Sequence, residues 1–168
     1  MTSSDLASRF LAGYPPELIS QAHTLHAEGR LAGYLEGRHP ERHEVRSDAA
    51  LFDYVQALKT RHMRNAGPLN FVGFDAKLRV LQQALGTHTR RTQVQGARLK
   101  TRREIRVATL FKKAPAALLR MIVVHELAHL RELDHNKAFY QLCQHMEPDY
   151  FQLEFDLRLY LMNLEAGK

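Results

Sequence analysis

The sequence predicts an α+β fold: a small antiparallel sheet packed on one buried helix, with a helical N-terminal part. Three observations predict it. Apolar residues recur at helical spacing before residue 65 and again after residue 115. Between residues 87 and 111 that period is lost and β-branched residues take over. The segment that follows is apolar on more than one face, as a central helix must be.

In chain order, residues 16–35 carry Leu18, Ala22, Leu25, Gly29 and Ala32 at spacings of three and four, and read as one helix. Residues 36–46 are polar, hold Pro40 and have no period, so they read as an exposed loop. Ser47 can cap a helix over about 48–64, whose apolar face is Leu51, Tyr54, Val55 and Leu58. Asn65-Ala66-Gly67-Pro68 breaks the chain there. Asp75 can cap a further helix that closes at Gly86. Thr92, Val94, Ile105, Val107 and Thr109 suggest two strands joined by a turn through residues 97–101. Pro115 suits the first turn of the helix that carries Leu118, Met121, Ile122, Leu127 and Ala128 to about Glu132. A shorter helix, 136–146, sets Phe139, Leu142, Cys143 and Met146 on one face and stops before Pro148. A last helix, about 149–165, is rich in leucine and aromatics. The expected division is a helical extension at 1–66 and a second domain at 67–168, compact enough together to form one domain.

The chemistry concentrates in His125-Glu126-Leu127-Ala128-His129. On a helix, residues four apart lie one turn apart on one face. Two imidazoles so placed can share one metal ion, with bonds of about 2.0–2.1 Å. Glu126 sits a hundred degrees or so round the helix, placed to take a proton from an attacking water without being a ligand. A third ligand comes from His135, six residues on, after a turn through 132–134. Three imidazoles leave a zinc ion one open position, the pattern of a catalytic site. The expectation is therefore one Zn²⁺ per chain, held by His125, His129 and His135, with Glu126 as general base. Asp134 caps the following helix or hydrogen-bonds a ligand imidazole. Tyr140 donates to a developing oxyanion or packs in the core. Met146 and Cys143 read as core, and the His39/His43 pair as coincidence in a polar loop.

Net charge is +6, and a basic run made of Arg90, Arg91, Arg98, Lys100, Arg102, Arg103 and Arg106 faces only Glu104. Such a run is a solvated sheet edge, or an anion site for phosphate groups, an acidic peptide or nucleic acid. Arg91, Arg98, Arg102, Arg103 and Tyr140 are the candidate substrate contacts. No aromatics interleave with the charges, so base stacking is not indicated. Thr92–Ala97, as an edge strand, offers its backbone to an extended peptide. One cysteine rules out an intrachain disulfide, and no apolar run reaches the roughly 18 residues of a membrane helix. The N-terminus lacks a basic then apolar leader. Together these suggest a cytoplasmic protein with no membrane partner.

Val123 to Leu130, then His135, Lys137, Phe139, Tyr140 and Pro148-Asp149-Tyr150, resemble the YgjP-like metallopeptidase family and, more distantly, the SprT-like and WLM zinc metalloproteases. The resemblance is close over about 115–150. It implies the same ligands and base, a small sheet packed on the active-site helix, and a peptide or protein substrate. The family's usual Trp-Gly-Ser-Cys segment is replaced by Gln93-Val94-Gln95-Gly96, and one cysteine cannot supply the zinc ribbon common among SprT-like proteins. The histidine spacing also equals that of metzincins, but their glycine is Glu132 here. Three functions follow: a metallopeptidase first; a nucleotide phosphohydrolase whose arginines hold phosphates; or a non-catalytic nucleic-acid-binding module stabilised by its metal.

Overall fold

A computed structural model describes residues 2–81 and 103–168. They form two compact units, one of residues 1–41 with 151–168, the other of residues 42–150. The helix at 48–62 thus belongs to the unit that carries the histidines, whereas the sequence division at residue 66 grouped it with the N-terminal extension.

In the first unit, α1 (Ser3–Phe10) begins at Thr2, whose side chain accepts from the Asp5 amide in a capping box. Then come α2 (Pro16–Ala27) and α3 (Leu31–Arg38). The helix expected over 16–35 is therefore two. Gly29 separates them with φ +71°, a left-handed turn that glycine adopts without Cβ strain. The long last helix, α7 (Tyr150–Ala166), contributes Asp156, fully buried, which pairs with Arg38 Nε at 2.9 Å and His39 Nε2 at 2.7 Å. His39 is thus committed to a carboxylate.

In the second unit, Ser47 caps α4 (Asp48–His62) by accepting from the Ala50 amide, as expected. β1 (Phe71–Asp75) and β2 (Glu104–Ala108) pair, with Val72 opposite Ile105 and Phe74 opposite Val107. Two corrections arise here. The pair is parallel, not antiparallel. Parallel strands cannot be joined by a tight turn, and residues 76–103 make the connection. Among the described residues the partner of β2 is β1, a strand with too few alternating residues to stand out in the sequence. Asp75 ends β1 and is not a helix cap: its Oδ1 accepts from the Lys77 amide at 2.8 Å and holds a turn, while beyond residue 81 the helix expected up to Gly86 lies outside the described residues. The expected edge strand at 92–97 and the turn at 97–101 lie outside the described residues, as do Arg91, Arg98 and Arg102.

Ile105 and Val107 are fully buried while Arg106 between them is not, the period of two that a half-buried strand needs. They face α5 (Ala116–Ala128), entered through Pro115. Leu118, Leu119, Met121, Val123, Val124 and Leu127 are all fully buried, so α5 is the central helix of this unit. It stops at Ala128 with His129 as its C-cap, one turn earlier than expected. α6 (Lys137–Met146) follows, capped by Asn136, whose Oδ1 accepts from the Phe139 amide at 2.9 Å. Asn136, and not Asp134, is that cap. Cys143 and Met146 on α6 are core, as expected. Among the described residues, no helix is long and apolar enough to cross a membrane.

Candidate metal centre

The end of α5 and the loop after it build the site. His125 lies in the last turn of α5, His129 caps it, and residues 130–136 bring the chain back so that His135 stands just before α6. One ligand nitrogen from each of the three lies within 4.8 Å of the other two. The His129 and His135 Nε2 atoms are 3.0 Å apart. A tetrahedral ion with bonds of about 2.0–2.1 Å sets its ligand nitrogens about 3.4 Å apart, so small ring movements suffice to admit one.

The tautomer of His129 supports that fit. Its Nδ1 is 2.9 Å from the Glu132 carbonyl oxygen. A carbonyl only accepts, so Nδ1 carries the proton and Nε2 presents its lone pair toward His135. Burial lowers the His129 imidazole below its usual range, partly offset by that carbonyl and by Asp134, and so favours the neutral form a ligand needs. His125 is 1% exposed, and its Nδ1 lies 2.7 Å from the Tyr150 hydroxyl. Phe139 underlies all three imidazoles, with ring centroids 4.5–5.0 Å away. It walls the site from the core side. Three converging imidazoles, two of them with their outer nitrogens held, are a donor set for a divalent metal.

Glu126 follows His125 on α5, about 100° round the helix from it. Burial pushes its carboxyl up to about 7. It lines a cavity of about 210 Å³ with Arg79, Glu104 and Arg106 over an apolar floor that includes Phe111 and Ile122. Arg106 stacks 4.5 Å from the Phe71 ring centroid and is held by Glu104 at 3.2 Å. Of the expected substrate contacts, Arg103 is not among the residues lining this cavity. Its backbone instead ties to Asn70, which accepts from the Arg103 amide at 2.7 Å and donates to its carbonyl at 2.8 Å. Tyr140 lies close, its ring centroid 6.3 Å from His135 and 6.2 Å from Tyr150.

Sequence reasoning missed three participants. Arg79 and Glu104 had no motif around them. Tyr150 was visible only as part of a resemblance, with no role. His43, by contrast, is accounted for structurally, with Nε2 2.9 Å from the Phe111 carbonyl and Nδ1 accepting from Val45.

Residues 36–160 match the model of the YgjP-like metallopeptidase domain. The chain belongs to the YgjP-like family. The match begins well ahead of residue 115, where the resemblance was close, and takes in α4 and both strands. The chain is also 56% identical over 159 residues, 95% of each chain, to a protein of Escherichia coli strain K12 described as a UTP pyrophosphatase. No solved structure matches it. A metallopeptidase domain and a pyrophosphatase are both hydrolases, and hydrolase is the class to which this YgjP-like chain is assigned.

Proposed function

We propose that this YgjP-like protein is a zinc-dependent nucleotide pyrophosphohydrolase that cleaves the bond between the α- and β-phosphates of uridine triphosphate or a close analogue. The observation that carries this is 56% identity, over 95% of both chains, to a UTP pyrophosphatase. The geometry supports it in one respect: the carboxylate expected to act as base shares its cavity with two arginines. Arginine is the side chain best shaped to clasp phosphate oxygens.

His125, His129 and His135 would hold the zinc. When bound, it supplies Lewis acidity at the reacting phosphorus and lowers the pKa of water beside it. Glu126 takes one proton from the attacking water, whose oxygen forms the new bond to the α-phosphorus. The bond from that phosphorus to the bridging oxygen breaks, and pyrophosphate leaves with the bond's electron pair. The products are a nucleoside monophosphate and pyrophosphate. Arg79 and Arg106 orient phosphate oxygens. Tyr140, and from the basic run Arg91, Arg98 and Arg102, are further candidate contacts.

A metallopeptidase is the second reading, favoured by the description of the family domain. It calls for a strand edge able to accept a peptide. On β1 the Phe74 amide is already donated to Asp48 at 2.8 Å. One assay separates the two. The zinc-loaded protein is given UTP, with pyrophosphate release followed by a coupled phosphatase, and in parallel an unfolded protein substrate. Pyrophosphate release that Glu126→Gln abolishes is the expected result. Peptide cleavage with no nucleotide turnover would reverse the order of the two readings.

A further inference from the structure

We propose that Tyr150 is a positioning residue for the metal: its hydroxyl oxygen accepts the Nδ1 proton of His125 and so fixes that imidazole in the tautomer whose Nε2 binds zinc. This rests on the proposed zinc site, and it concerns metal binding rather than the substrate.

The two outer histidine contacts differ in kind. For His129 the partner is a backbone carbonyl three residues away, and the proton can sit only on Nδ1. For His125 the partner is a phenol 2.7 Å away, which can donate or accept. If the phenol donated to Nδ1, the ring proton would sit on Nε2 and the ring could not bind a metal through that atom. The zinc site therefore requires the phenol oxygen as acceptor. Ligand histidines commonly give their second N–H to a carboxylate, carbonyl or water. A neutral phenol does the same here in a site where a carboxylate would bring a further buried charge.

The scaffold holds this hydroxyl firmly. Tyr150 is fully buried, and its ring lies nearly parallel to that of His125, 16° between planes. Its amide donates to the Glu147 carbonyl at 2.9 Å, closing the turn that follows α6. That turn is tied back to α5 by Arg120, which donates from Nε to Glu147 Oε1 at 2.8 Å and from Nη2 to the Met146 carbonyl at 3.1 Å. The helix that carries His125 thus also anchors the turn that presents its partner.

The test uses the full chain and Zn²⁺ alone, with affinity read by competition against a chromophoric chelator. Tyr150→Phe removes one oxygen and keeps the ring. The expected result is zinc binding weakened by about 10- to 100-fold, with the metal-free melting temperature close to that of wild type. Equal affinity in a folded Tyr150→Phe overturns the inference and leaves the zinc site standing. A wild type that binds no zinc overturns both. Nitrogen-15 NMR of zinc-loaded wild type keeps the inference testable if the variant does not fold. It should show His125 bound through Nε2, with a slowly exchanging proton on Nδ1. Coordination through Nδ1 would refute it.

Discussion

Replacing Glu126 by glutamine should make the metal-free protein more stable while removing its activity. Glutamine has nearly the same volume and keeps the helix. What it removes is a carboxyl that burial pushes from its ordinary value of 4.5 up to about 7. A shift of that size corresponds to roughly 3 kcal/mol between protonation states. Part of the side chain keeps contact with water, so roughly 1–2 kcal/mol is the expected net effect. The sign follows from linkage. The folded pKa lies above the unfolded one, so below 4.5 both states are protonated and the group is neutral in its effect. As pH rises from 4.5 to 7, the unfolded chain ionises first and the folded state loses stability, with the full cost present above 7.

The assay is urea unfolding followed by circular dichroism, in a chelator, for both proteins at pH 5 and pH 8. Glutamine should gain little at pH 5 and the full 1–2 kcal/mol, by about that same estimate, at pH 8. The histidines are common to both proteins and cancel in the difference. With zinc and substrate, turnover should fall by about 10²- to 10⁴-fold, the worth of a general base. Gained stability with lost function marks a group held in an unfavourable state for its chemistry. A variant no more stable than wild type at pH 8 would refute the desolvation argument. One that retained turnover would refute the role of base.

Other outcomes follow from the same contacts. His135→Ala should lower zinc from about one per chain to a small fraction, measured by elemental mass spectrometry, since among the described residues three imidazoles converge there. Leu127→Ala, at a fully buried position of α5, should cost about 2–5 kcal/mol in urea unfolding. Asp156→Ala strips Arg38 and His39 of their shared carboxylate; a loss of about 1–3 kcal/mol is expected, tempered because Arg38 is partly exposed.

The histidine cluster was legible in the sequence because its logic is local. His125 and His129 are one helical turn apart, and a helix is the one element whose period appears directly in spacing. The central helix could be read for the same reason, from apolar residues on more than one face. The strands were harder. β2 showed its alternation in Ile105 and Val107, but its partner could not be inferred, since strand pairing is a long-range choice and β1 offers only Phe71, Val72 and Phe74 around Gly73. A turn between neighbouring strands is the economical guess; that turn lies outside the described residues, and the described pair, β1 with β2, is parallel. The break at Gly29 was likewise visible as a weak helix residue, yet only the φ of the folded chain shows that it ends α2. Tyr150 illustrates the limit at the site itself. Nothing in a tyrosine 25 residues from a histidine reports that their polar atoms meet.

Arg106 offers the sharpest separation between a nucleotide and a peptide as substrate. It extends from β2 between two buried residues, so strand alternation fixes its direction. Stacking on Phe71 and the pair with Glu104 fix its guanidinium further. It lines the same cavity as Glu126. Arg106→Lys keeps the charge and loses the planar fork. Loss of a charge-assisted contact of about 1.5–3 kcal/mol corresponds to a rise in KM for UTP of roughly 10- to 100-fold. Zinc affinity should be untouched, because none of the three histidines contacts this side chain among the described interactions. A peptide carbonyl has no use for a bidentate cation at that point, so cleavage of an unfolded protein should be little affected. An unchanged KM for UTP in the lysine variant would show that the phosphates lie elsewhere and remove Arg106 from the site.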